Sequence, residues 1–137
     1  LELAKISNIN KEEIVILGRS LGGGVASYLA KAHGPKALVL ESTFTTMPDV
    51  AQKIYPFLPV KLLMQNKYPS IDNIKAYKGP VLISHGDKDE IVPYALGQEL
   101  FEAANEPKEF ITIRGGGHND AYSAGYARAL QQFLAAL

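Results

Sequence analysis

Apolar residues along this chain fall into two kinds of run. Four runs are short, nearly continuous and rich in Val, Ile and Leu: "EIVIL" (Glu13 to Leu17), "KALVLES" (Lys36 to Ser42), "GPVLISHG" (Gly79 to Gly86) and "KEFITIRGG" (Lys108 to Gly116). Continuous aliphatic and β-branched stretches of this length suit strands covered on both faces, as in a parallel sheet. The fourth alternates apolar and polar residues more regularly, which puts it nearer an edge. The second kind of run has the spacing of an amphipathic helix and covers Leu21 to His33, Tyr94 to Asn105 and Ala121 to Leu137. His33, Gly34 and Pro35 close the first of these as last-turn cation, C-cap glycine and stop. Strand and helix alternate, so the pattern predicts an α/β domain with a parallel sheet of about four strands flanked by helices.

Two segments depart from that rhythm. Thr43 to Lys78 contains Pro48, Pro56, Pro59 and Pro69 together with Phe44, Tyr55, Phe57, Leu62, Leu63, Met64 and Tyr68. It is too long for a plain connection and too apolar for a disordered linker, so it reads as an insertion on a single domain spanning residues 1–137. At the other departure, "LELAKISNI" has apolar residues at Leu3, Ile6 and Ile9, the spacing of a helix tail, and the chain opens on Leu1. It is expected to be cut from something longer.

Composition narrows the class. In 137 residues, 47% are hydrophobic and 14 basic residues balance 14 acidic ones. That supports a packed core and gives no charged stripe for nucleic acid or anionic lipid, leaving a small neutral substrate as the expected partner. With no cysteine there are no disulfides, thiolate metal sites or cysteine nucleophile, which fits a reducing compartment, and the three scattered histidines suggest neither a metal nor a cofactor site. Apolar runs stay far below the roughly 18 residues of a membrane span, and no secretory leader is visible, so a soluble, cytoplasmic protein is expected.

Candidate chemistry starts at "ILGRSLGGG", where a buried strand turns into a helix through Ser20, with Gly18 two residues before it and Gly22 two after. A serine hydroxyl needs a neighbouring base and open access to act as a nucleophile, and a sharp strand-to-helix turn provides the access if the flanking positions carry no side chain. The plainer alternative makes Ser20 a helix N-cap and the glycines a packing surface. A phosphate cradle is disfavoured, because the lysine and hydroxyl of a phosphate-binding loop are missing. A base is available in His118, after "RGGG", and a carboxylate in Asp87 or Asp89 of "HGDKDEIVP", each just past a strand at the sheet edge where ligands gather. Asp87 could equally cap local amides as a turn residue. His85 is expected to be a structural residue at a strand end. Arg19 could reach an anionic leaving group or lay its stem across neighbouring helices.

Four motifs in order carry a resemblance: Gly18, Ser20, Leu21, Gly22 and Gly23; then Glu41, Ser42 and Phe44; then His85, Gly86, Asp89, Val92 and Pro93; then Gly115, Gly117 and His118. In these the chain resembles the serine hydrolases of the α/β-hydrolase superfamily over essentially its whole length. The resemblance implies Ser20 as nucleophile, His118 as general base and acid, Asp89 as the carboxylate orienting the imidazole, and the Leu21 backbone N–H as an oxyanion donor. It further implies hydrolysis of an ester, thioester or amide through an acyl-enzyme, a cap-like insertion at residues 43–78, and a small-molecule acyl substrate. The insertion's aromatics could line an acyl pocket or only pack the cap onto the core.

The resemblance begins at the helix before the nucleophile strand, so the first half of the fold, with its second oxyanion donor, is expected to be absent. Losing one such donor costs about 2.7–4 kcal/mol. The alternative function is therefore a catalytically impaired scaffold acting as an assembly or interaction module. The strand Ile14 to Leu17 is expected to pair with a preceding segment or with another copy of the chain.

Overall fold

Four strands, β1 (Val15–Arg19), β2 (Ala37–Glu41), β3 (Val81–Gly86) and β4 (Lys108–Ile113), form one parallel sheet in the order β1-β2-β3-β4. They belong to a computed structural model that describes residues 9–65, 67–120 and 123–137. Register is continuous across the sheet: Val15 lies opposite Ala37, Leu38 opposite Val81, and Ile83 opposite Phe110. Since all strands run the same way in sequence order, their C-terminal ends share one edge, and the loops that follow them meet there.

A 3-10 turn at Lys11–Glu13 and six α-helices complete the described fold: α1 (Leu21–His33), α2 (Met47–Ile54), the single turn α3 (Val60–Leu63), α4 (Ser70–Ala76), α5 (Tyr94–Ala103) and α6 (Ala124–Ala135). Small residues let α1 approach the sheet closely, since Gly23, Gly24, Ala26, Ser27 and Ala30 are the ones it buries. It ends as its sequence predicts, with Gly34 at φ 59° and its N–H bonded to the Ala30 carbonyl. Leu38 and Leu40 of β2 meet Val81 and Ile83 of β3 under α1, α4 and α5 in the main core. Glu41, one residue beyond Leu40, points to the opposite face. There its buried carboxylate accepts a hydrogen bond from the Tyr126 hydroxyl of α6. β4 is an edge strand whose burial falls and rises along its length, in keeping with its alternating sequence.

Element boundaries differ from the sequence reading by a few residues, for local reasons. β1 runs on to Arg19 because its ladder with β2 continues to the Arg19–Glu41 pair. α6 starts at Ala124, where the Ser123 hydroxyl accepts from the Tyr126 N–H as an N-cap. Ala121 and Tyr122, and residues 1–8 of the helix tail expected over Leu1 to Ile9, lie outside the described residues, and Ile9 itself is not helical.

The insertion is anchored at both ends: Phe44 and Val50 share a small core with Val92 and with Leu96 of α5, and Ile74 of α4 and Tyr77 enter the main core. Beyond α2 the chain bends at Pro56 and Pro59, and Phe57 and Leu62 stand 96% and 87% exposed. Phe57 and Leu62 therefore neither pack the insertion down nor line an enclosed pocket. No helix among the described residues is long and apolar enough to cross a membrane.

Candidate active site

Ser20 is the one residue between the end of β1 and the start of α1, and its backbone sits at φ 50°, ψ −124°. For a non-glycine residue such a conformation costs on the order of 1–3 kcal/mol and persists only when its surroundings impose it. They do so from both sides: the Ser20 N–H donates to the Glu41 carbonyl at 2.9 Å, and the Thr43 hydroxyl donates to the Ser20 carbonyl at 2.7 Å. One contact comes from the last residue of β2 and the other from the loop just after it. The Ser20 side chain makes no capping bond to α1 and lies instead 3.0 Å from His118 Nε2. The Leu21 N–H follows at the first position of the helix, where amides have no partner within the helix.

Of the two glycines expected to be bare around Ser20, one meets the expectation and the other does not. A Cβ at Gly18 would stand 2.4 Å from the Ala26 Cβ and 2.6 Å from the Gly22 carbonyl oxygen, so this position must be bare. At Gly22 a Cβ would meet nothing within 4 Å, whereas at Gly23 it would lie 2.1 Å from the Thr43 hydroxyl. The expectation that Gly22 avoids a collision is therefore corrected. The close approach is at Gly23, because α1 turns that residue toward the Thr43 side chain supporting Ser20.

His118 follows the glycines after β4, and that loop is stitched to the loop after β3. Asp87 Oδ1 accepts from the Gly115 N–H at 2.6 Å, and the Lys88 N–H donates to the Gly116 carbonyl at 3.0 Å. Gly86 has to be bare as well, since a Cβ there would fall 2.2 Å from the Gly116 oxygen. Asp87 thus holds the neck of the histidine loop as a turn residue. Asp89 is the carboxylate that meets the ring: its Oδ2 lies 2.8 Å from His118 Nδ1, while Oδ1 accepts from the Ile91 and Val92 N–H groups at 2.9 and 2.8 Å. A carboxylate only accepts, so Nδ1 carries the proton and Nε2 is left to accept from the Ser20 hydroxyl. Asp89 and His118 are both buried.

His85 lies beneath this chain of bonds, fully buried in β3. Its Nε2–H donates to the Val92 carbonyl at 2.9 Å and lies 3.3 Å from Asp89 Oδ2, while Nδ1 has no hydrogen-bond partner among the described residues. Burial pushes its pKa below the ordinary 6.5, against the opposing pull of the Val92 carbonyl and the Asp89 carboxylate. Gly97 of α5 backs onto this ring, since a Cβ there would lie 2.3 Å from Nδ1. His85 is thus a strand-end residue bonded within the fold, as its position in the sequence suggested. His33 ends α1 on the exposed surface.

Arg19 makes a contact that neither of its two expected courses included. Its Nη2 donates to the His118 carbonyl at 2.8 Å and to Asn119 Oδ1 at 3.0 Å, linking the strand of Ser20 to the loop of His118. Thr43, Arg19 and Asn119 had no signal of this kind in the sequence, because two of the three bonds end on backbone carbonyls. Among the described residues no group of three or more His, Cys, Asp or Glu is arranged to hold a metal ion.

Comparison with known proteins places this geometry in context. Residues 2–130 match the family model described as "Alpha/beta hydrolase domain". An uncharacterized protein of Mycobacterium tuberculosis is 43% identical over 114 residues, which is 83% of this chain and 41% of that protein. The Homo sapiens alpha/beta hydrolase domain-containing protein 17B is 34% identical over 131 residues, 92% of this chain and 43% of that protein. The chain therefore spans less than half the length of these relatives. Among solved structures, an acetyl xylan esterase from Paenibacillus sp. R4 superposes with a TM-score of 0.77 at 16% identity, covering 98% of this chain and 49% of that one. A puromycin-hydrolyzing peptidase of Mycobacterium tuberculosis superposes with a TM-score of 0.76 at 19% identity over 98% of this chain and 23% of its own. At such identities the likeness is one of fold.

Proposed function

We propose, from the premise that the chain belongs to the alpha/beta hydrolase family, that it is a serine hydrolase that cleaves a carboxylic ester, thioester or amide through an acyl-enzyme. The observation that carries this reading is the unbroken chain from Ser20 Oγ to His118 Nε2 at 3.0 Å and from His118 Nδ1 to Asp89 Oδ2 at 2.8 Å. Ser20 Oγ attacks the acyl carbon while His118 Nε2 takes the hydroxyl proton, and the carbonyl π electrons move onto oxygen. Asp89, held by the Ile91 and Val92 amides, keeps the ring in one tautomer and stabilises the imidazolium. The Leu21 N–H lies at the positive end of α1, suited to the developing oxyanion. Collapse of the tetrahedral intermediate breaks the bond to the leaving group, which takes the proton from Nε2. Water then repeats the cycle on the acyl-serine and releases the acid.

Intact-mass labelling with a fluorophosphonate tests this reading, run beside Ser20→Ala. The native chain should gain one phosphonyl group by displacing fluoride, and Ser20→Ala should gain none. A folded native sample that takes no label overturns the hydrolase reading and leaves a scaffold that binds without turnover.

A further inference from the structure

We infer that Arg19 is a positioning residue that sets the place of His118 from its backbone side, an inference that rests on the serine-hydrolase reading of the same site. Arg19 is itself fixed. Its backbone closes the β1–β2 ladder opposite Glu41, and the next residue, Ser20, donates its N–H to the Glu41 carbonyl. From this anchored position one terminal nitrogen of the guanidinium reaches both the His118 carbonyl and the Asn119 side chain. The residue next to the nucleophile thus grips the main chain of the base that serves it.

The rest of the loop explains why such a grip matters. Asp87 and Lys88 tie down Gly115 and Gly116, and the Gly117 N–H donates to Asp120 Oδ2, a bond that stays within the loop. Arg114 and three successive glycines separate β4 from His118, with Gly115 at φ 71°, and the bonds that the loop after β3 makes to this main chain reach Gly115 and Gly116, two residues short of His118. Proton transfer needs the ring held to within roughly 0.5 Å of its working position. Arg19 supplies a charge-assisted hold on His118 and Asn119 from outside the loop. A lysine ammonium would keep the charge and lose the planar, pre-organised donor geometry.

Three variants, Arg19→Met, Arg19→Lys and Asn119→Ala, test this in the full chain with two readouts. One is the rate of fluorophosphonate uptake. The other is the far-downfield proton resonance of His118 Nδ1–H in its bond to Asp89, which does not depend on turnover. Arg19→Met should label about ten- to a hundredfold more slowly and broaden or lose that resonance, with Arg19→Lys recovering part of both. Asn119→Ala should slow labelling by a few fold and combine non-additively with Arg19→Lys. If Arg19→Met, or Arg19→Lys where the methionine variant does not fold, keeps the native resonance, Arg19 does not position His118. A native chain that shows the resonance and takes no label sinks the hydrolase reading alone, and the resonance in the variants then decides on Arg19.

Discussion

Gly18, Gly22 and Gly23 stand within three residues of Ser20, and the space around each is different. A methyl group at Gly18 or Gly23 collides with the Ala26 side chain or with Thr43, while at Gly22 it enters open space. Gly22→Ala should therefore leave stability unchanged or raise it by up to about 1 kcal/mol, since alanine is the better helix former. Gly18→Ala and Gly23→Ala should each lose about 1–3 kcal/mol in denaturant titration. Gly23→Ala should also slow labelling of Ser20, because Thr43 must leave the Ser20 carbonyl to make room. Equal damage at Gly18 and Gly22 would show that the motif's spacing, rather than these contacts, sets the requirement. At this scale Ser20 and His118 were legible because catalytic residue types at strand ends are few, while strand-end position left Asp87 and Asp89 both open and the motif resemblance pointed to Asp89. The sequence held no sign of the bonds from Thr43 to the Ser20 carbonyl and from Arg19 to the His118 carbonyl, since every residue possesses such an acceptor.

At the scale of elements, the strands were legible because β2 and β3 are buried along their whole length and so carry unbroken apolar runs up to their polar ends. The insertion was less so: its apolar residues look alike in sequence, yet Phe44 enters a core with α5 while Phe57 stands in solvent. Which aromatics are buried depends on where the chain bends back, and composition does not encode that. β3 and α5 also trap His85 between them, and this has a pH consequence. Its pKa is lowered in the folded chain, so below about 6.5 the unfolded chain takes up a proton that the folded one refuses. The contribution of His85 to stability is thus complete above that pH and is lost as the pH falls toward its lowered folded pKa. Unfolding free energies measured from about pH 7.5 down to about pH 5 should decline more steeply for the native chain than for His85→Gln, whose amide can still donate to the Val92 carbonyl. Parallel declines in the two proteins would mean that His85 titrates normally.

For the molecule as a whole, the sheet order β1-β2-β3-β4 brings the loops after β1, β3 and β4 to one edge. That Ser20, Asp89 and His118 would gather was readable in advance, because parallel strands leave the loops that follow them at one edge of the sheet. The same arrangement makes the site a clock for folding. Ser20 and His118 are 98 residues apart, and Asp89 and His118 are 29 apart. Helices close local contacts early, whereas contacts this distant wait for the chain between them to be ordered. In a refolding experiment with fluorophosphonate pulses, label uptake should lag the recovery of helical far-ultraviolet signal, and no early species with only β1, α1 and β2 in place should react. Label taken up in step with the first helix would mean that Ser20 gains its reactivity before the two ends of the fold have met.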